Sequence, residues 1–158
     1  PCPCGCAVGA GKECSCNASA RARYLAKLSG PLSDRIDLQL TLNAVNANLV
    51  TGITPSVGET SAVIKRQVAK AREQTMLRLK NTPWSLNAEV PGSYLRRELR
   101  LAPSITKQID NALDNRLISM RGYDRCLRIA WSLSDLAGTA SPGANEIAMA
   151  SYYRGVEA

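Results

Sequence analysis

The second half of the chain has the periodicity of amphipathic helices. From residue 59 onward, apolar side chains recur every three or four residues, which is typical of helices that bury one face. The pattern predicts a long basic helix capped by Thr60 or Ser61 and a short helix after Pro91-Gly92. We therefore expect residues 59–158 to form a helical bundle.

Three more helices are predicted in this bundle. One has Pro103 near its first turn, a second runs from Ser119 as its N-cap to Gly138, and a third covers residues 143–154. Their apolar positions predict the core of the bundle. These core positions are Ile105, Ile109, Ala112, Leu113, Leu127, Ala130, Leu133, Ile147 and Ala150.

The region before residue 59 has a different pattern. A short helix is predicted over residues 19–29, ended by Gly30-Pro31. The segment RIDLQLTL, residues 35–42, alternates apolar and polar positions and predicts a half-buried strand. Because one strand is not stable alone, we expect the rest of its sheet to lie outside this sequence or in a partner. Residues 43–58 predict a flexible connection.

Composition narrows the classes of partner. The 158 residues carry a net charge of +7, which favours polyanions such as nucleotides or nucleic acid. Only 4% of the residues are aromatic, which argues against a base-stacking platform. No apolar run approaches the roughly 20 residues of a membrane span, and no charged-then-apolar segment occurs, so we expect neither a membrane span nor a secretory leader. The chain begins at Pro1 without a methionine, so we expect a piece of a longer protein.

The cysteines concentrate at the start of the chain. Cys2 and Cys4 form one C-x-C pair and Cys14 and Cys16 form another, with glycines between them that allow tight turns. Since the sequence has no histidine, a zinc site here would need four thiolates. Disulfides of a secreted domain, and free or redox-active thiols, are the alternatives.

The other two cysteines have different expected roles. Cys6 is either a substitute ligand or a bystander to the four paired thiols. Cys126 falls within a helical pattern, where a small core residue is the expected role.

Arginines are the remaining candidates for chemistry, because the sequence contains no phosphate-binding loop motif and no nucleophile elbow. Arg121, Arg125 and Arg128 form a basic stripe on one helix. The stripe is either a solvated face partly paired with Asp124 and Glu98, or a phosphate clamp. The clamp is favoured by the position of Arg121 in the first helical turn, where anions are stabilised.

Arg35 allows two interpretations as well. It lies between Asp34 and Asp37, so an exposed ion pair with either acid is one interpretation. The other is a guanidinium that projects across a subunit boundary toward a nucleotide.

Several segments together resemble a known family. They are PCPCG with CSC, RYLAKLSGPLSDRIDL, LNAEVPGSYLRREL and SMRGYDRCLRIAWSLSDLAG. In this order they resemble the C-terminal portion of the magnesium-chelatase-like AAA+ ATPases of bacteria, of YifB/ComM type. The resemblance implies a mainly α fold, in which a helical AAA+ lid follows a small α/β remnant of the ATPase core and a cysteine-rich zinc knuckle.

The resemblance implies three regions. Residues 1–28 would form the zinc knuckle and a short helix, and residues 29–58 the end of the AAA+ core. Residues 59–158 would form the helical lid. It also implies a cytoplasmic bacterial protein that assembles with like subunits into a ring, expected to be a hexamer, and acts on DNA. ComM-type members are implicated in recombination during natural transformation, as branch-migration helicases.

Site residues follow from the same resemblance. Arg35 matches the arginine finger that reaches ATP in the next subunit. Arg121 matches the sensor-2 arginine of the lid, with Arg125 as the alternative. The four cysteines match the paired cysteines of the family and imply Zn²⁺. ATP and Mg²⁺ would occupy a site shared with the rest of the protein.

The chain also departs from the family pattern. Walker A and Walker B motifs are absent, so we expect this chain not to hydrolyse ATP by itself. Two other functions stay open. A zinc knuckle with a basic bundle could grip nucleic acid without ATPase activity. A magnesium chelatase subunit proper is disfavoured by the cysteine pairs.

Overall fold

A computed structural model describes residues 2–6, 13–27, 32, 34–40 and 59–155. The chain divides into two compact units. One comprises Pro1–Ile36 and Leu40–Gly58, and the other comprises Asp37–Gln39 and Glu59–Ala158. Within the described residues the secondary structure is helical throughout, which agrees with the mainly α prediction but not with the small α/β remnant expected before the lid.

The first unit contains helix α1, Ala18–Leu25. The second contains a bundle of five helices and one short 3-10 turn, Asn87–Glu89. The bundle helices are α2 (Ser61–Leu79), α3 (Gly92–Arg97), α4 (Pro103–Asp114), α5 (Met120–Ala137) and α6 (Ala144–Tyr153). No helix in the described part of the chain is both long enough and apolar enough to cross a bilayer.

The predicted helix ends of the bundle are confirmed by their caps. The Thr60 hydroxyl accepts a hydrogen bond from the Val63 N–H, which begins α2. The Ser119 hydroxyl accepts one from the Gly122 N–H at 3.0 Å, which begins α5. Gly138 ends α5 with a φ of 71°, a left-handed conformation that glycine adopts without a Cβ penalty.

The core lies around α5, which packs against α2, α3, α4 and α6. Most of the predicted core positions are buried, namely Ile109, Ala112, Leu127, Ala130, Ile147 and Ala150. Ile105, Leu113 and Leu133 are half-buried and pack against the same cluster. The Cys126 side chain is fully buried, so its predicted core position is confirmed.

The predicted strand over residues 35–42 is wrong for the part that the structure describes. Residues 34–40 contain no strand, and Ile36, Leu38 and Leu40 are exposed. The physical reason is the one that made the strand doubtful alone: the described residues offer it no neighbouring strand. Instead, the Gln39 N–H donates to the carbonyl of Tyr153 at 2.7 Å. Leu42 and the connection 43–58 lie outside the described residues.

The short helix near the N-terminus begins one residue earlier than predicted. Asn17 caps α1, because its Oδ1 accepts a hydrogen bond from the Ala20 N–H at 2.7 Å. The helix ends at Leu25, so it is shorter than the predicted 19–29. The predicted stop at Gly30-Pro31 lies outside the described residues.

Candidate metal centre and arginine cluster

Four cysteine thiols converge in the first unit. The Sγ atoms of Cys2, Cys4, Cys14 and Cys16 all lie within 4.8 Å of one another. The Sγ–Sγ distances are 3.2 Å for Cys2–Cys4, 3.7 Å for Cys4–Cys14 and 3.5 Å for Cys2–Cys14. These distances are far longer than the roughly 2.05 Å of a disulfide, and all six cysteines of the chain are free thiols. The disulfide alternative is therefore not what the structure contains.

The first pair of thiols is positioned by a tight turn. The Gly5 N–H donates to the Cys2 carbonyl at 3.1 Å, and Gly5 has a φ of 78°, which other residues rarely adopt. The turn directs the Cys6 N–H toward the Cys4 sulfur, at 3.5 Å. Backbone N–H groups of this kind stabilise a thiolate and are typical partners of a metal-bound sulfur.

The second pair is positioned by α1. Cys16 immediately precedes the N-cap Asn17, and its carbonyl accepts a hydrogen bond from Arg21 Nε at 3.0 Å. The side chain of an α1 residue therefore holds the backbone at the second C-x-C pair.

The hydrogen bonds and charges of the cluster favour ionisation of one thiol, that of Cys4, and oppose ionisation of Cys14 and Cys16. The Cys6 N–H and the neighbouring thiols donate to Cys4 and lower its pKa to about 6. For Cys16, a backbone hydrogen bond favours the thiolate, but hydrogen bonding to the Cys4 thiolate and burial outweigh it and raise the pKa to about 11. The pKa of Cys14 is raised too. Without a cation, several thiolates this close repel one another.

The donor set fits a tetrahedral zinc ion. Four sulfurs at about 2.3 Å from Zn²⁺ would lie about 3.8 Å apart, close to the Sγ–Sγ distances of the cluster. A divalent cation would also favour the thiolate forms of Cys14 and Cys16, whose pKa values hydrogen bonding to the other thiols and burial raise. Cys2, Cys4, Cys14 and Cys16 could therefore hold a structural zinc ion.

Cys6 is close to the cluster but is not one of its four members. Its thiol donates to the Cys4 carbonyl at 3.5 Å, and hydrogen bonding to Cys4 raises its pKa. Its backbone N–H contributes to the site, while its sulfur stays outside the four-thiol set.

The three arginines of the predicted stripe have separate environments. Arg121 is exposed in the first turn of α5. Arg125, one turn later, forms an ion pair with Asp37. Arg128 Nε donates to the carbonyl of Val90 at 3.0 Å. Two of the three guanidiniums are thus engaged within the bundle, and Arg121 is the one directed to solvent.

One of the two acids predicted to pair with the stripe, Asp124, has another partner. Asp124 forms an ion pair with Arg96 of α3, and its carboxylate packs against the backbone of Gly92. There is no room for a side chain at Gly92, because a Cβ would overlap the Asp124 carboxylate. This contact fixes the start of α3 against α5.

Arg35 lies in a short turn of the first unit. Its backbone N–H donates to the Leu32 carbonyl at 2.9 Å, and its side chain is exposed. Asp37, one of the two acids considered as its partner, pairs with Arg125 instead.

Asp135 is the centre of a buried polar network that the sequence did not predict. Asp135 of α5, whose side chain is 1% exposed, accepts hydrogen bonds from Arg78, from Thr75 at 2.6 Å and from Asn87 at 2.9 Å. The Arg78 guanidinium also lies 4.3 Å from the ring centre of Trp131. The network could have been predicted from the position of Asp135, which lies on the apolar face of α5 one turn after Trp131. A charge there is rarely buried without a partner.

Two cavities of the bundle lie away from the predicted site arginines. One of about 300 Å³ is lined by Arg96, Thr106, Asp110 and Tyr123 among others. Burial and the Asp110 carboxylate, which accepts the Tyr123 hydroxyl at 2.8 Å, raise the pKa of Tyr123 to about 12. The second, of about 310 Å³, lies beside Asp135. In the described part of the chain, neither is lined by Arg121 or Arg125.

Comparison with protein families gives two matches along the chain. Residues 58–154 match the family described as magnesium chelatase, subunit ChlI C-terminal. Residues 1–50 match the family described as magnesium chelatase, subunit ChlI. The two matches follow each other along the chain. The match over residues 58–154 alone covers more than half of the sequence.

Curated relatives come from bacteria. An uncharacterized protein of Mycobacterium tuberculosis is 43% identical over 132 residues, which cover 84% of this chain and 26% of the relative. The competence protein ComM of Haemophilus influenzae is 32% identical over 116 residues, which cover 73% of this chain and 22% of ComM. YifB of Escherichia coli is 31% identical over 114 residues, covering 72% of this chain and 22% of YifB. The chain thus spans about a quarter of the length of these relatives.

Proposed function

The chain belongs to the magnesium chelatase ChlI family and is a relative of ComM and YifB, and on this premise we propose that it supplies the arginine finger and helical lid of a DNA-acting AAA+ ATPase. Its neighbours would be copies of the same protein in a ring, with a hexamer as the expected size. DNA branch migration in recombination and natural transformation is the activity that the ComM relationship suggests. ATP with Mg²⁺ would be the nucleotide at the shared site.

The observation that carries this proposal is the arrangement of arginines on α5. Arg121 is exposed at the beginning of the helix, while Arg125 and Arg128 are engaged with Asp37 and Val90. A phosphate-sensing arginine has to be accessible, and the N-terminal turn of a helix favours an anion. These contacts support Arg121 over Arg125 as the sensor-2 residue.

Arg35 would act on the nucleotide of a neighbouring subunit. Its exposed side chain is suited to reach a partner, and a guanidinium stabilises the charge that develops on the transferred phosphoryl group. Removal of such an arginine lowers turnover by about a thousandfold or more. The nucleotide itself would be held mainly by other parts of the shared site.

The four-cysteine cluster would hold one structural zinc ion. It is positioned by the Gly5 turn and by the hydrogen bond from the Arg21 side chain of α1 to the Cys16 carbonyl, and its four thiols leave no position for a reacting water. Its role is therefore to stabilise the first unit rather than to catalyse.

Mutation of Arg35 in the full-length protein tests the motor assignment. Arg35→Ala should abolish ATP turnover in the assembled ring while ATP binding is kept. Arg97→Ala, at an exposed arginine of α3, is the matched control and should leave turnover unchanged. Normal turnover of an assembled Arg35→Ala ring would contradict the finger assignment.

A nucleic-acid-binding module without ATPase activity is the second candidate. It is favoured by the first half of α2, where Lys65, Arg66 and Lys70 are all exposed. Binding through phosphates alone would weaken steeply with salt and would not depend on ATP. DNA binding that is unchanged by nucleotide, in a full-length protein without ATPase activity, would favour this candidate over the motor.

A further inference from the structure

The segment that follows Arg35 is attached to the helical bundle at two points. The carboxylate of Asp37 forms an ion pair with Arg125 of α5. The Gln39 N–H donates to the carbonyl of Tyr153, the last residue of α6, at 2.7 Å. By these contacts residues 37–39 belong to the same compact unit as the bundle, although they precede it by about twenty residues in sequence.

The Arg125 side chain is mostly buried and is paired with Asp37, which suits this attachment better than binding of a soluble ligand. Its side chain is only 17% exposed, against 54% for Asp37, and among the described residues its buried Nε has no hydrogen-bond partner. A guanidinium this far from water needs a counter-charge, and Asp37 supplies it. Arg125 is therefore committed within the bundle.

The attachment at Asp37 affects Arg35 because the two residues are only two positions apart in the sequence. Two residues of extended chain span at most about 7 Å, so fixing Asp37 restricts the positions that Arg35 can reach. At the other end of the contact, Arg125 lies one turn after Arg121 on the same rigid helix. The ion pair therefore fixes Asp37, two residues after the proposed finger, on the helix of the proposed phosphate sensor.

We propose that the Asp37–Arg125 ion pair is a positioning contact, which holds residues 37–39 on the helix that carries Arg121 and thereby limits, through the two peptide units that separate them, where the Arg35 side chain can reach. This inference rests on the proposed function. Arg125 then acts through Asp37 and does not touch the nucleotide.

The test uses the full-length protein with three variants. Asp37→Asn and Arg125→Gln each remove one charge, and the combined Asp37→Arg/Arg125→Asp variant restores the pair with its polarity reversed. Each single variant should lower kcat for ATP about ten- to a hundredfold, the size expected when a reacting group is slightly misplaced, with KM for ATP changed less than about twofold. The reversed pair should recover most of the lost kcat.

Hydrogen exchange tests the contact without any nucleotide. The Gln39 amide, hydrogen-bonded to Tyr153, should exchange slowly in the wild-type protein and faster in Asp37→Asn and Arg125→Gln. Asp114→Asn, at an exposed acid at the end of α4, is the matched control and should change neither exchange at Gln39 nor kcat.

Three results would separate the possible failures. Normal kcat in both single variants, with Arg35→Ala inactive, would reject the positioning contact and keep the finger. A large loss of ATP affinity in Arg125→Gln would overturn it in favour of a direct phosphate contact. Normal turnover in Arg35→Ala would reject the proposed function itself, and the positioning role with it.

Discussion

Asp135 of α5 and Arg78 of α2 form a bidentate ion pair at the edge of the core. Arg78 Nη1 lies 2.6 Å from Asp135 Oδ1, and Nη2 lies 2.7 Å from Oδ2. The side chains are 1% and 14% exposed for Asp135 and Arg78, so both charges are largely removed from water. Thr75 and Asn87 complete the hydrogen bonding of the carboxylate. Such a contact is strong only as a complete set, since either charge alone would be buried without a partner.

Removing the carboxylate should therefore destabilise the bundle strongly. Asp135→Asn leaves the Arg78 guanidinium without its counter-charge, and we expect a loss of about 3 kcal/mol or more in the free energy of unfolding. Urea denaturation followed by circular dichroism measures it. Asp114→Asn, at an exposed position, should stay within about 0.5 kcal/mol of wild type. A loss of similar size in both variants would show that the network contributes no special stability.

The same pair predicts how stability depends on pH. Burial alone would raise the pKa of Asp135, but hydrogen bonds from Arg78, Thr75 and Asn87 outweigh it and lower the pKa. A carboxyl whose folded pKa lies below its unfolded value of about 3.9 contributes stability above that pH and loses it as the pH falls further. The stability difference between wild type and Asp135→Asn should therefore be constant from pH 7 to about 5 and shrink below about 4. A difference that stays constant down to pH 3 would contradict the lowered pKa.

Gly92 and Asp124 predict a rescue between two mutations. A Cβ at residue 92 would overlap the Asp124 carboxylate, so Gly92→Ala must displace that carboxylate from Arg96 and should destabilise the protein by about 1–3 kcal/mol. Asp124→Ala alone loses a partly exposed ion pair, worth about 1 kcal/mol or less. In the double variant the alanine at residue 92 should be harmless. Thermal or urea denaturation of all four proteins gives the coupling energy, and additive effects would contradict the clash.

The first unit should depend on zinc, while the bundle should not. Helix α1 has eight residues and none of them is buried, so neither its length nor packing of its own side chains makes it stable. Removing zinc from the holoprotein with a chelator should therefore raise hydrogen exchange in residues 18–25 and leave exchange in α5 unchanged. The Cys4→Ser variant should behave like the chelated protein, and Cys6→Ser like the untreated one. Unchanged exchange in α1 after complete zinc removal would contradict this dependence.

Local signals account for what the sequence predicted correctly. The ends of α2 and α5 could be placed because Thr60, Ser119 and Gly138 act through hydrogen bonds and backbone conformation within a few residues of themselves. The cysteine cluster could be predicted for a similar reason, since its two C-x-C pairs are short and Gly5 forms the turn that positions the first pair.

Contacts between distant segments account for what was missed. Arg78 and Asp135 are 57 residues apart, and no periodicity states which charges will meet across a helix packing. The same holds for Asp37 and Arg125, 88 residues apart, and for Asp124, whose partner proved to be Arg96. The strand prediction over residues 35–42 was wrong because an alternating pattern gives no information about a neighbouring strand, which a strand needs to be stable. Residues 34–40 have no such neighbour among the described residues.

Zinc binding by the cysteine cluster should release protons and weaken as the pH falls. The pKa of Cys4 is lowered to about 6, but those of Cys14 and Cys16 are raised, so at pH 7 the cluster without metal keeps at least two protons that bound zinc must displace. Because protons compete with the metal for the same sulfurs, affinity should decrease with each unit of pH below 7. Titrating zinc into the metal-free protein in two buffers of different ionisation enthalpy gives the number of protons released, and elemental analysis gives the expected one zinc per chain. Cys126→Ser is the matched control, since that buried thiol lies in the bundle. Zinc binding without proton release, or equal at pH 5 and pH 8, would contradict a four-thiolate site.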